Sequence, residues 1–263
     1  MNHLLKKVLE LDTVYLDTFT NRINTSWGKL FYNMNQPVYY DANHAEISEN
    51  PKNAKAVIEE VLRFYQEKNI IPRFYLYNLD ELSPFLKELS GFGFRYEELV
   101  SPIQIWSRIK HQGSKNEKVT IETVTESNYN EALEIECSIK ELGGRAVREK
   151  ALAEEFNHPF YTHYLLRYEG IPCSTASIFA HDGQARMESV ATLEAFRGKG
   201  LIGELIYFLQ EEVEKRGIED FWVFPINERV EKVYARYGFE TAGKLVTGHA
   251  FLSGKSIKEI QQG

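Results

Sequence analysis

Alternation of apolar and polar residues is clearest in the second half of the chain. VTIETV, from Val119 to Val124, alternates as a half-buried strand does, and Ser127 to Lys140 sets Ala132, Leu133, Ile135 and Ile139 on or near one face of a helix. A second helix is predicted over Val147 to Asn157. Strands follow at Tyr161 to Tyr168, Cys173 to Ala180 and Ala185 to Leu193, with Glu169-Gly170 and His181-Asp182-Gly183 as the turns of an antiparallel meander. From Gly200 the spacing becomes helical: Leu201, Leu205, Ile206, Leu209 and Val213 share a face up to a stop at Gly217. Phe221 to Phe224 is a short apolar strand, and a helix that Asn227 can cap runs to Tyr237, where Gly238 ends it. The order β-α-α-β-β-β-α-β-α-β describes an α+β domain.

In the first half, Leu30 to Tyr40 reads as a strand pair, Asn53 to Glu67 as a helix, Arg73 to Tyr77 as a strand and Leu82 to Leu89 as a helix. LKELSGFGFRYEE, Leu86 to Glu98, echoes KVYARYGFETAG, Lys232 to Gly243: a helix, then aromatic-Gly-Phe, then a strand. The echo suggests two degenerate copies of one fold. Between the halves, IKHQGSKNEK (Ile109 to Lys118) is polar, lacks apolar periodicity and carries a Gly-Ser pair, as a flexible connection does. The expected domains are therefore 1–112 and 118–263.

Composition narrows the function classes. With 43% hydrophobic and 26% charged residues over 263 positions, the chain is an ordinary globular sequence long enough for two modest domains. A net charge of −7 gives no general positive field for a phosphate backbone, so nucleic acid is not an expected partner. Cys137 and Cys173 are too few for a disulfide framework and suit a reducing cytosol. No segment has the apolar length of a membrane span, and the protein reads as soluble and cytoplasmic. The seven histidines show no metal-binding spacing, so no metal is expected; His158, His163 and His181 read as surface residues.

SVATLEAFRGKGLIGELIYFL, Ser189 to Leu209, joins an apolar strand to a glycine-rich turn that opens an amphipathic helix. N–H groups at a helix start lack intrahelical partners, glycine admits a close ligand, and the helix dipole favours negative charge there. Arg197 and Lys199 add formal positive charge. Gly198 to Gly203 satisfies G-x-G-x-x-G, but four residues separate it from the strand and no acidic residue ends the next strand, so the dinucleotide reading fails. A P-loop fails as well, since no Ser or Thr follows Lys199.

The segment resembles the acyl-CoA signature of the GNAT family of N-acetyltransferases, R/Q-x-x-G-x-G/A, as Arg197-Gly198-Lys199-Gly200-Leu201-Ile202, with Ile202 where the family prefers Gly or Ala. Asn227, Tyr234 and Gly238-Phe239 repeat the family's downstream pattern, and the two blocks span Met187 to Thr241. The resemblance implies a mixed, largely antiparallel central sheet flanked by helices, twice in tandem if the echo holds. It also implies acetyl-CoA as co-substrate: pyrophosphate on the amides of Arg197, Gly198, Lys199, Gly200, Leu201, Ile202 and Gly203, pantetheine along Ala191, Thr192 and Leu193, and Asn227 beside it. Tyr234 stands where family members protonate the departing thiolate, which suits a phenol with a reference pKa near 10.

The acceptor must be a neutral amine, of a small molecule or a peptide, so a base or water chain must remove a proton. Glu188 is the candidate, sharing a strand face with Val190; it serves either as base or as electrostatic partner of the amine. Bland readings stand beside these: Tyr234 as a core aromatic, Asn227 as a helix cap, Phe31, Tyr32, Tyr39 and Tyr40 as core and strand positions. The first half contains no R/Q-x-x-G-x-G/A, so one acyl-CoA site is expected. The rival from another class is a catalytically inactive CoA-binding sensor. A homodimer is left open.

Overall fold

The structure, a computed structural model, describes residues 3–109, 116–139, 142 and 144–262. Two compact units emerge, Met1–Ser101 with Lys244–Gly263, and Pro102–Gly243. They differ from the consecutive halves that the polar connection predicts, because two long strands each run from one unit into the other. Of that connection, 110–115 lie outside the described residues.

The first unit opens with α1 (His3–Asp17), for which the sequence reading had no element, and continues β1 (Asn21–Asn24), β2 (Lys29–Tyr32), β3 (His44–Ile47), α2 (Ala54–Gln66), β4 (Arg73–Leu76) and α3 (Ser83–Gly91). The strand pair expected over Leu30 to Tyr40 is corrected: Asn33 Oδ1 accepts from the N–H of Asn35 and Gln36, which turns the chain, and the next strand waits until His44. Pairing is antiparallel for β1–β2 and β2–β3 and parallel for β3–β4. The first part of β5 (Arg95–Trp106) and the last part of β11 (Phe239–Phe251) belong here, and Gly248–Phe251 pairs antiparallel with Arg73–Leu76. That pairing places the C-terminal stretch with the first unit. Val57, Ile58, Val61 and Tyr65 of α2 pack on Ala45, Ile47, Phe74 and Leu76, which supplies the core. The same strands turn Glu46, Arg73 and Tyr75 to their other face.

On that face His249 is fully buried: Nδ1 donates to Glu97 Oε1 at 2.8 Å, and Nε2 accepts from Arg73 at 3.0 Å, since a guanidinium only donates. Burial pushes the imidazole down to about 4, with Arg73 acting in the same direction. A neutral buried histidine binds fewer protons than the unfolded chain between about 6.5 and 4, so its contribution to stability is present at neutral pH and lost as pH falls through that window. Urea unfolding of the wild type is expected to show a midpoint that drops over this range. His249→Gln, which keeps a donor and an acceptor without titrating, should flatten the drop; an unchanged slope would contradict it.

The second unit comprises the rest of β5, then β6 (Val119–Thr123), α4 (Tyr129–Cys137), α5 (Arg145–Phe156), β7 (Tyr161–Tyr168), β8 (Ile171–His181), β9 (Gln184–Thr192), α6 (Leu201–Lys215), β10 (Asp220–Val223) and α7 (Glu228–Ala235), ending in the start of β11; α8 (Ile257–Gln262) belongs to the first unit. These match the predicted elements to within a few residues; Lys140, the expected end of the first helix, lies outside the described residues. Its strands run β5-β10-β9-β8-β7-β6, antiparallel except for β9–β10. A core of Met187, Leu205, Ile206, Leu209, Phe221 and Phe239 lies between this sheet and α6 and α7. Leu165 and Ala191 pack instead with Ala132 and Ile135 of α4.

Both units thus carry a three-stranded meander, a helix, a strand parallel to the last of the three, a short helix and a long strand. The echoed motif sits at the same place in each: α3 leads through Gly93 (φ +83°) and Phe94 into β5, and α7 through Gly238 (φ +80°) and Phe239 into β11.

Candidate active site

The parallel pair β9–β10 holds only over Gln184–Arg186 and Asp220–Trp222, after which β9 continues to Thr192 without its partner. One edge of β9 is therefore unpaired by β10 from Met187 onward. Against β8 the register shifts: Thr175 faces Ala191 while Ser177 faces Glu188, so β9 carries one extra residue, with Ser189 at φ +50°. The bulge corrects the expectation that Glu188 and Val190 share a face. Val190 packs with the α6 core, whereas Glu188 is opposite Ser177, which in turn pairs with His163.

Thr192 is the expected strand-edge residue whose main chain faces the unpaired side; its carbonyl accepts from Arg197 Nε at 3.1 Å. Ala191 and Leu193 are turned the other way: Ala191 O accepts from Ser174 Oγ at 2.6 Å, and Leu193 N–H donates to Cys173 O at 2.9 Å. A short 3-10 turn, Glu194–Phe196, leads into the loop. Gly198 (φ +79°) and Gly200 (φ +76°) adopt the left-handed conformation that glycine tolerates, and Gly200 caps α6 with no side-chain hydrogen bond. Gly203 N–H reaches Gly200 O at 2.9 Å, so Leu201 and Ile202 begin the helix with N–H groups that have no intrahelical acceptor. Ile202 packs its side chain on the core. Gly203 serves packing: a Cβ there would stand 2.6 Å from the Tyr237 ring. Lys199 Nζ lies 5.0 Å from the centre of the Tyr168 ring.

Asn227, in extended conformation, caps α7 by accepting from Val230 N–H at 3.0 Å. Tyr234, two helical turns on from Asn227, is 6% exposed and packs against Phe239, while its hydroxyl has no hydrogen-bond partner among the described residues. Burial, with the Glu188 carboxylate as a second cause, raises the phenol above its usual value of 10, so it stays protonated at neutral pH. The ring of Tyr234 is in the core, and its hydroxyl is within electrostatic reach of Glu188. Glu188 itself is ion-paired with Arg186, whose guanidinium lies 4.4 Å from the Phe224 ring.

Glu188 also raises the Glu155 carboxyl, after burial. Glu155 belongs to a buried cluster invisible to pattern reading, because its members are scattered over two helices. Arg148 of α5 binds Glu136 of α4 through Nε at 2.8 Å and Glu155 at 3.1 Å. Burial raises Glu136 to about 7 against the pull of Arg148. Beside it, His163 is 4% exposed, correcting the surface reading, and is held down at about 4 by burial. His163, Thr175 and Ser177 leave side-chain polar atoms unpartnered on the face that bears Glu188. Such atoms call for water or a polar ligand. His158 and His181 are half-buried.

In the first unit, β3 and β4 stay paired to their ends, Tyr77 N–H donates to Ile47 O at 2.9 Å, and Asn78 Nδ2 donates to Ser48 O at 3.0 Å where the strands would part. The helix that follows β3 is capped by Asn53 Oδ1, which accepts from Ala56 N–H at 3.1 Å. Among the described residues, β3 and the start of α2, the counterparts of β9 and the start of α6, therefore offer neither a strand edge freed by its partner nor an uncapped helix start.

Residues 129–239 match the family model described as the acetyltransferase (GNAT) family. Among solved structures, a GCN5-related N-acetyltransferase from Kribbella flavida is similar over 96% of each chain, at 17% identity and a TM-score of 0.71. A functionally unknown conserved protein from Staphylococcus epidermidis ATCC 12228 matches over 92% of this chain and 96% of its own, at 14% identity and 0.67. A tandem GNAT protein from the clavulanic acid biosynthesis pathway matches over 81% and 76%, at 12% identity and 0.54. At these identities the likeness shows the fold. No curated protein matches the chain significantly in sequence. Among the described residues, no helix is long and apolar enough to cross a membrane, and no group of three or more His, Cys, Asp or Glu could hold a metal ion.

Proposed function

We propose, from the match of residues 129–239 to the acetyltransferase (GNAT) family model, that this protein moves an acetyl group from acetyl-CoA to a primary amine of a small molecule or peptide by direct attack on the thioester. The observation that carries the reading is the unpaired edge of β9 leading into an uncapped, glycine-opened helix: main-chain groups in line for an extended chain, then N–H groups for a diphosphate. Arg197, tied to Thr192 O, fixes the junction of the two.

The site divides the chemistry by charge. Main-chain N–H groups beside the bulge stabilise the negative charge that develops on the thioester oxygen. Glu188 draws the acceptor ammonium to the reacting carbon, and the proton it must lose passes to a carboxylate or to water on the polar face of Thr175, Ser177 and His163. Attack by the neutral nitrogen forms the new C–N bond and breaks the C–S bond. Tyr234, kept protonated by burial, gives its proton to the leaving sulfur and is reprotonated, through water, by the proton that the new amide nitrogen sheds.

The test is titration calorimetry with acetyl-CoA. One mole per mole of chain is expected, since β3 and α2 of the first unit, the counterparts of β9 and α6, lack both elements of the cradle. Unfolding in the presence of acetyl-CoA at about 100 times its Kd should show about 2.7 kcal/mol of added stability. Absence of binding, or two equivalent sites, would refute this reading. Turnover of acetyl-CoA with a panel of primary amines then separates an enzyme from an inactive sensor.

A further inference from the structure

Resting on the acyl-transfer reading above, we propose that the acceptor is a free α-amino acid, its ammonium taken by Glu188 and its carboxylate by Arg186. The two residues stand two apart on β9, before the bulge, so their side chains leave the same face of the sheet, where they form an ion pair through Arg186 Nε. The neighbours of Arg186 are aromatic. Phe179 is its partner in register on β8 and Trp222 its partner on β10, both fully buried, and the centre of the Phe224 ring lies 4.4 Å from the guanidinium carbon. Arg186 is 9% exposed and the Glu188 side chain 20%, so the pair is withdrawn from water without being sealed from a ligand. An ion pair so placed adds little net stability, and folding alone does not account for it. Its place does: β9 parts from β10 just beyond Arg186, and the Glu188 charge reaches Tyr234, the acid of the transfer.

The charges of the pair select among amines. Arg186 offsets Glu188, so a diamine or polyamine would bring its second cation against a guanidinium. A zwitterion instead exchanges one opposite-charge contact for two. Its carboxylate replaces Glu188 on the planar donor fork of Arg186, and its ammonium takes the carboxylate so released. The same face supplies what else an ammonium needs. Ser177 stands opposite Glu188 and His163 opposite Ser177, and the Ser177 hydroxyl and the His163 ring nitrogens are buried with no hydrogen-bond partner among the described residues. An ammonium has three donors, of which Glu188 does not exhaust the supply, and these atoms answer the remainder.

Turnover of acetyl-CoA with glycine, alanine, methionine and phenylalanine, with the α-carboxamide of each, and with putrescine tests the assignment. For the side chain it takes best, the wild type should favour the amino acid over its carboxamide by about tenfold or more in kcat/KM, the size expected of charge-assisted contacts. The carboxamide's ammonium is the stronger acid, so this preference cannot come from the supply of neutral amine. Arg186→Gln should raise the KM for the amino acid and bring the preference close to one, with Arg186→Lys in between; calorimetric CoA binding at wild-type affinity shows that each variant is folded. A wild type that uses carboxamides or putrescine as well as amino acids, or an Arg186→Gln variant that keeps the preference, would overturn the assignment and leave acyl transfer standing. Acetyl-CoA binding without transfer to any of these amines would overturn the assignment, and no acetyl-CoA binding would overturn the acyl-CoA reading with it.

Discussion

Replacing Tyr234 by phenylalanine is expected to lower kcat by about 100-fold or more, the lower end of the effect of a positioned acid, and to leave the affinity for CoA unchanged. The two effects separate because the ring and the hydroxyl have different surroundings. The ring is held in the core beside Phe239, and phenylalanine keeps that packing. The hydroxyl bonds to no described residue, so its loss orphans no partner in the fold and should leave the unfolding midpoint where it was. Burial makes the phenol a weaker acid than in water, and it donates only to a sulfur that is itself leaving as a desolvated thiolate. Turnover of acetyl-CoA with primary amines, read beside calorimetric CoA binding, decides the matter. An unchanged kcat would assign Tyr234 to the core alone.

Arg148→Met should destabilise the protein by about 3–5 kcal/mol at neutral pH, because it removes the cation from two buried carboxylates at once. The loss should shrink in acid. Glu136 is raised to about 7 and Glu155 is raised as well, both primarily by burial, and without Arg148 their proton affinity climbs further. A carboxyl whose folded pKa lies above its unfolded value binds the extra proton in the folded state, so stability falls as pH rises from the unfolded value through the folded one. The variant should therefore recover stability between pH 7 and pH 5. Urea unfolding of wild type and variant at both values provides the check; a loss below 1 kcal/mol at pH 7, or the same loss at both, contradicts it.

The second unit was legible along the chain because its strands alternate and α6 keeps one apolar face from Leu201 to Val213. Gly198, Gly200, Asn227 and Tyr234 could be singled out because left-handed turns, caps and a helix-borne phenol leave local signals. The first unit resisted: β1 and β2 have four residues each, too short for an alternation to register, and α1 carries its charges among its apolar positions. Which main-chain groups of Ala191, Thr192 and Leu193 face β8 and which face the free side is not legible, because a strand's two edges look alike in sequence and the free one depends on its neighbours.

By itself the sequence determined what depends on near neighbours: the elements of residues 119–243, the glycine-opened helix, the capped helix after it, and the repeated helix-Gly-Phe-strand signal. The tertiary structure alone decided whatever depends on residues distant in the chain. It parts β9 from β10 beyond Arg186, inserts the bulge that sends Glu188 and Val190 to different faces, and gathers Glu136, Arg148, Glu155 and His163 into one buried polar layer. It also assigns the C-terminal stretch to the first unit through the pairing of Gly248–Phe251 with Arg73–Leu76. Strand partnership and burial are set by how whole elements pack, and neither has a period that a local pattern can carry.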